Sequence, residues 1–192
     1  MICELFPATH DASDFGAPRG AVLSPPETRG GVPFSVYRYA LWRPTGSGRG
    51  RCVFVLLNPS TADALRDDLT VKKCVGFARR WGYARADLVN LYALRSTDPK
   101  ALLDPVPDPV GPDCDLWIRR TLLGHASVPR AHAVVAAWSA STPKGCEPRV
   151  AEVSEILRAS DLPLSCLGLT RSGAPRHPSR LPYATKLEIY NP

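Results

Sequence analysis

Cys52–Leu57 reads CVFVLL and runs straight into Asn58-Pro59-Ser60-Thr61-Ala62-Asp63. Six apolar residues without alternation predict a strand covered on both faces. Proline has no amide hydrogen and cannot continue a ladder, so the strand ends there and presents Asn58 at its exit. Three further apolar runs follow: Ala86–Ala93 (ADLVNLYA), Ala131–Trp138 (AHAVVAAW) and Leu164–Leu169 (LSCLGL). From Thr70 to Tyr83 the residues Val71, Cys74, Val75, Ala78 and Trp81 recur at helical spacing, with Lys72, Lys73, Arg79 and Arg80 outside and Gly82 as the stop. Cys114–Leu123 and Arg149–Ala159 are expected to be the second and third helices. Strands alternating with helices predict an α/β protein, a three-layer α/β/α arrangement around a four-stranded, mainly parallel sheet.

Upstream, Phe34–Trp42 (FSVYRYALW) alternates as a strand does, and Gly46–Gly50 supplies a turn. Residues 1–33, rich in Pro, Gly and Ser, are expected to form an irregular N-terminal arm, with residues 34–192 as a single α/β domain. The 192 residues can bury a core without metal or disulfide staples. Twenty prolines, four of them within 103–113, call for stiff loops and exclude an all-helical bundle. No apolar run is long enough for a membrane span, and the acidic first residues do not suit a secretory leader. The six cysteines are scattered without a C-x-x-C, so neither zinc nor an iron–sulfur cluster is expected; Cys52, Cys74 and Cys166 lie in apolar runs and read as small hydrophobes. The expectation is a cytoplasmic protein with reduced thiols, no cofactor and no bound metal.

Lys and Arg exceed Asp and Glu by six, which favours a polyanionic partner. In parallel sheets ligands bind beyond the carboxyl ends of the strands. The first strand delivers Asn58 to Asp63, the second Asn90 and a loop to Asp98, the third Trp138-Ser139, and the last leads to His177-Pro178-Ser179. An amide at Asn58 can orient a water, although it suits a turn or helix cap as well. His177 sits in a basic segment: residues 170–192 hold Arg171, Arg176, Arg180 and Lys186 against the single carboxylate Glu188. Such a histidine can donate to an anion forming on a leaving group, and Ser179 with the arginines suits phosphate contacts. Asp63, Asp67, Asp68 and Asp98 are the candidate carboxylates, although Asp67-Asp68 also suits the dipole of the helix that follows. His132, within an apolar run, is expected to bond inside the core. The phosphate loops and the nucleophile elbow are absent as motifs.

The segments LLNPSTAD (Leu56–Asp63), VNLYALRSTDP (Val89–Pro99) and LGLTRSGAPRHPSRL (Leu167–Leu181) resemble a bacterial family catalogued as a domain of unknown function, over about residues 34–185. NPSTAD is its most specific mark. More distantly, the order of three motifs resembles the uracil-DNA glycosylase superfamily. That resemblance implies a uracil-DNA-glycosylase-like fold and an N-glycosidic hydrolase acting on a flipped base in DNA. It implies that Asn58-Pro59 holds the attacking water, with Asp63 or Asp68 as electrostatic help, and that Asn90, with Pro59, Ser60 and Tyr92, binds the base. It further implies that His177 stabilises the departing base, that Leu181 wedges the duplex, and that Ser179, Arg180, Arg171 and Arg176 hold nucleic acid. The chain departs from the pattern in lacking a glycine before Asn58 and in carrying Arg180 where proline is common. The stacking aromatic is also unplaced; Tyr92 and Phe77 are its candidates. Two other functions fit the same residues: a nucleic-acid-binding protein without catalysis, and an enzyme of free nucleotides or nucleosides.

Overall fold

The computed structural model of the chain describes residues 15–29, 32–139 and 142–192. In chain order the elements are β1 (Gly20–Leu23), β2 (Pro26–Arg29), β3 (Val32–Ser35), β4 (Arg38–Pro44), β5 (Arg51–Leu56), α1 (Leu69–Arg80) and β6 (Arg85–Asn90). They continue with α2 (Cys114–Leu123), β7 (Ala133–Ala136), α3 (Glu147–Ala159), β8 (Leu164–Cys166) and β9 (Glu188–Ile189). Every residue of β5 is buried, as its unbroken apolar run requires. Its side chains alternate between two cores. Val53 and Val55, with Leu57 beyond the strand, pack with Trp117, Ile118 and Leu122 of α2 and Val153, Ile156 and Leu157 of α3. Cys52, Phe54 and Leu56 pack with Val71, Cys74, Phe77 and Ala78 of α1. Helices therefore cover both faces, in three layers.

The sheet corrects the expectation of four strands. It has seven, in the order β1-β4-β6-β5-β7-β8-β9, and it is mixed. The four anticipated strands form its parallel centre, β6-β5-β7-β8. β1 and β4 extend one edge antiparallel, and β9 closes the other. The edge strands escape sequence reading because β1 has four residues in a Gly/Pro-rich segment and β9 only two, both exposed. Too few residues are present for a period to show. The expected irregular arm, residues 1–33, thus contributes β1 to this sheet and holds β2 and the start of β3, while residues 1–14 and 30–31 lie outside the described residues.

The expected strand Phe34–Trp42 is in fact two. Val32–Ser35 pairs with β2 in a separate hairpin. At the break, Ser24 Oγ accepts from the Tyr37 N–H at 3.1 Å, and the chain enters the main sheet only at Arg38. α1 is placed as its spacing predicts, capped by Asp68, whose Oδ1 accepts from the Val71 N–H at 2.8 Å. Gly82 ends it in the left-handed region, at φ +80°. His132 departs from expectation: it is exposed just before β7, and its Nδ1 accepts from the Arg51 N–H at 3.3 Å. The five described cysteines are free and buried. No helix among the described residues is long and apolar enough to cross a membrane.

At the amino ends of the central strands a buried carboxylate holds two cations. Asp87, 1 % exposed, accepts from Arg51 Nε at 2.9 Å and from Arg85 Nε at 2.7 Å. Removing one member of a buried ion pair strands the other charge away from water. Asp87→Ala is expected to cost about 3–5 kcal/mol by urea unfolding. A loss under about 1 kcal/mol, the scale of an exposed pair, would show that the two guanidiniums do not depend on it.

Candidate functional site

A cleft of about 690 Å³ opens at the carboxyl ends of the parallel strands. β5 contributes Asn58, the loop after β6 contributes Thr97 and Pro99, β7 leads to Trp138 and Ser139, and the segment after β8 brings Arg176, His177, Ser179 and Arg180. Both arginines are exposed, and among the described residues no carboxylate lines the cleft. Its surface therefore favours an anionic ligand.

Asn58 is held by the two strand exits that it joins. Its Nδ2 donates to Ser96 O at 2.9 Å and to Pro59 O at 3.0 Å. Two carbonyls can only face the nitrogen end of an amide, so Oδ1 is the atom left uncommitted. The backbone stitches the same junction, with Ser96 N–H donating to Pro59 O at 2.9 Å and Tyr92 N–H to Leu57 O at 3.0 Å. Pro59 itself is buried, acting through its carbonyl.

His177 precedes the short 3-10 turn Pro178–Arg180 and caps it. Its Nδ1 accepts from the Ser179 N–H at 3.3 Å and lies 2.9 Å from Ser179 Oγ. An accepting Nδ1 leaves the proton of the neutral ring on Nε2, where it can be donated. Burial holds the imidazole pKa below its ordinary value, opposed by the charge of Asp68. His177 is thus a neutral donor at pH 7.

Behind the cleft, Asn58 and His177 also line a small chamber of about 40 Å³ together with Arg38, Ser60, Asp68 and Thr70. The structure therefore brings together Asn58, His177, Asp68 and Ser60 around one space, with Ser179, Arg176 and Arg180 on the cleft side. Ser139, also in the cleft wall, has φ +76°, unusual for a residue with a side chain; its N–H donates to Pro175 O at 2.8 Å, joining the exit of β7 to the last loop.

Other anticipated residues lie elsewhere. Asp63 faces the neighbouring groove, where its Oδ1 accepts from the N–H groups of Leu65 and Arg66 at 2.8 Å each. Burial raises its pKa, but those bonds and nearby Arg95 and Arg66 bring it below the usual value, as befits a turn-forming carboxylate. Asn90 is 2 % exposed and lines neither cavity; its Oδ1 accepts from Arg38 Nη2 at 3.3 Å. Tyr92 packs into the core shared with α2 and α3, and Phe77 into the core under α1, so neither is free to stack on a base. Leu181 is 4 % exposed and belongs to the α1 core, with its carbonyl taking a bond from Lys73 Nζ at 2.6 Å. Its side chain, expected as a wedge, is thus packed in the core at the wall of the cleft. Arg171 is exposed but does not line the cleft.

One residue was missed, and one that the third strand delivers has an added place in the site. Arg38 interrupts the alternation of FSVYRYALW, a charge at a position that the period makes internal, and that was its only signal. Trp138, at the exit of β7, is the aromatic that lines the cleft. Among the described residues no group of three or more His, Cys, Asp or Glu side chains is arranged to hold a metal ion. Asn58→Asp would set a carboxylate oxygen against two carbonyls, and the expected loss, about 1–3 kcal/mol in thermal or urea unfolding, exceeds that of Asn58→Ala. Equal losses would show that the amide is not the tether.

No curated protein and no solved structure matches the chain. A family model described as "Protein of unknown function (DUF1643)" matches residues 38–179, from the first residue of β4 to the Ser179 that partners His177. The chain belongs to that family.

Proposed function

We propose that the protein hydrolyses the N-glycosidic bond of a nucleotide unit in DNA, at the cleft beyond the parallel strands. The observation that carries this reading is the pairing of an uncommitted acceptor, Asn58 Oδ1, with a neutral donor, His177 Nε2, on one cation-lined cleft. In the proposed step water attacks C1′ of the sugar. The new C1′–O bond forms as the C1′–N bond breaks, and the electron pair leaves with the base as an anion. Asn58 orients the water, Asp68 takes its proton, and His177 donates a hydrogen bond to the departing base. A uracil-DNA-glycosylase-like architecture would place these groups at the same strand exits, and the likeness remains one of motif order.

Burial of Leu181 and Asn90 argues against a protein that forces a paired base out of the stack. An already unpaired base costs least to capture, so single strands are the proposed substrate. Arg176 and Arg180, with Lys72, Arg79 and Arg80 exposed on α1, supply cations for the phosphate backbone. Because those arginines would also suit a free nucleotide, an enzyme of mononucleotides is the second reading, and product analysis on free nucleotides separates the two.

Single-turnover assays on labelled oligonucleotides carrying uracil, hypoxanthine or oxidised pyrimidines test the proposal by scoring abasic sites. Loss of one oxyanion donor costs about 10²–10³ in rate, so His177→Ala is expected to fall by that order and Asn58→Ala by at least about tenfold. Unchanged rates in both would remove them from the mechanism. Protonation of Nδ1 would turn a donor toward the Ser179 N–H and disturb the ring. The wild-type rate should therefore decline only as pH falls below about 6.5, and that limb should vanish in His177→Ala. Retention of DNA without base release would favour the binding-protein reading. In that binding, Arg176→Ala and Arg180→Ala should each reduce the slope of log affinity against log salt by about 0.7 on single strands.

A further inference from the structure

The chamber behind Asn58 and His177, at about 40 Å³, has room for one water molecule. Arg38 forms part of its wall and is 3 % exposed. None of the ion pairs among the described residues involves it. Its Nη1 donates to Ala62 O at 3.1 Å and its Nη2 to Asn90 Oδ1 at 3.3 Å, both neutral acceptors. Its Nε finds no acceptor among the described residues. Burial draws the guanidinium pKa down to about 10, and the Asp68 charge is the strongest influence opposing that fall. A buried cation with an unsatisfied N–H is costly, and such a donor at a chamber wall calls for an oxygen.

The rest of the wall is rich in acceptors. Asn58 contributes Oδ1, its one uncommitted polar atom, and Asp68 has a second carboxylate oxygen beyond the one that caps α1. Ser60 and Thr70 add hydroxyls. A buried water needs two to four polar partners of both kinds.

We infer that this chamber seats the attacking water and that Arg38 is its third ligand, a positioning residue for the hydrolysis proposed above, on which the inference rests. Arg38 Nε–H donates to the water oxygen, while the two water hydrogens go to Asn58 Oδ1 and the Asp68 carboxylate. Three of the four tetrahedral directions are then filled. The remaining lone pair is turned toward the cleft, where it attacks C1′ as the glycosidic electron pair leaves with the base and the proton passes to Asp68. The cationic Nε–H lowers the energy of the hydroxide-like oxygen that develops in that step.

The test has two readouts. On ¹³C,¹⁵N-labelled wild-type protein, the Arg38 Nε–H resonance, assigned by through-bond correlation to its own backbone, is examined for cross-relaxation with a long-lived water. Alongside it, single-turnover cleavage and DNA affinity are measured for Arg38→Lys and Arg38→Met. The expected result is a water cross-peak, with cleavage lowered by about 10²-fold in Arg38→Met and less in Arg38→Lys. Affinity should stay within about twofold, because a water ligand acts on the chemical step and not on binding. Absence of the cross-peak overturns the inference, and this holds even where both variants fail to fold. Folded variants that lose affinity and rate in parallel also overturn it, since Arg38 then only braces Ala62 and Asn90. A cross-peak in a wild-type protein that releases no base from any oligonucleotide keeps Arg38 as a water ligand but overturns both the attack assigned to that water and the hydrolytic reading.

Discussion

A strand buried on both faces has nowhere to go but out of its end, and three residues beyond the end of β5 stands a proline. Pro59 cannot donate to the ladder, so the chain leaves the sheet at Asn58, and the structure around it depends on that forced exit. The Asn58 amide and the backbone of Pro59 are bonded to Ser96, in the loop after β6, so two neighbouring strand exits are tied together. The opposite end of the sheet is held by a different interaction, the Asp87 carboxylate between Arg51 and Arg85. One end of the parallel centre is thus an ionic node, and the other is a cluster of polar groups with spare hydrogen-bonding capacity.

That spare capacity separates the candidate site from ordinary surface. Most side chains around the strand exits are spent on structure: Asp63 forms a turn, Asp67 accepts from Arg43 Nε at 2.6 Å, and Asn90 receives Arg38. Asn58 Oδ1, His177 Nε2, one oxygen of Asp68 and Arg38 Nε are left over, and all four residues line the same small chamber. A fold spends local stability where it keeps a buried guanidinium without a carboxylate partner, a pattern more common at functional sites than in pure cores.

The basic character has a comparable division. Arg51, Arg43 and Arg149 are buried and paired with carboxylates, so they contribute to the net charge without offering it to a ligand. Arg176, Arg180, Lys72, Arg79 and Arg80 remain accessible or line the cleft. Tyr183 gathers two cations of α1, with Lys73 Nζ and the Arg80 guanidinium each 4.2 Å from its ring centroid, beside the chain that carries Leu181. Exposed cations therefore stand both at the cleft and on α1, although only part of the surplus of six charges supplies them.

The amino-acid sequence by itself determined the parallel centre of the sheet, its three helices and the residues at its strand exits. Long apolar runs and helical spacing are local properties that one window of chain expresses fully, and Pro59 and Gly82 mark their ends by backbone chemistry alone. The sequence also carried Asn58 and His177 to the right end of the sheet, because parallel strands all release their chains on one side. Tertiary structure alone decided the rest. β1 and β9 are too short for any period and exist through their partners' hydrogen bonds. Leu181 and Asn90 look available in a list of residues, yet packing against α1 and a bond from Arg38 withdraw them. Arg38 itself acquires a meaning only when β4 lies beside β6 and brings its guanidinium beneath an asparagine twenty residues further along the chain. Burial and hydrogen-bond partnership are properties of the assembled neighbours, and no single window of sequence contains them.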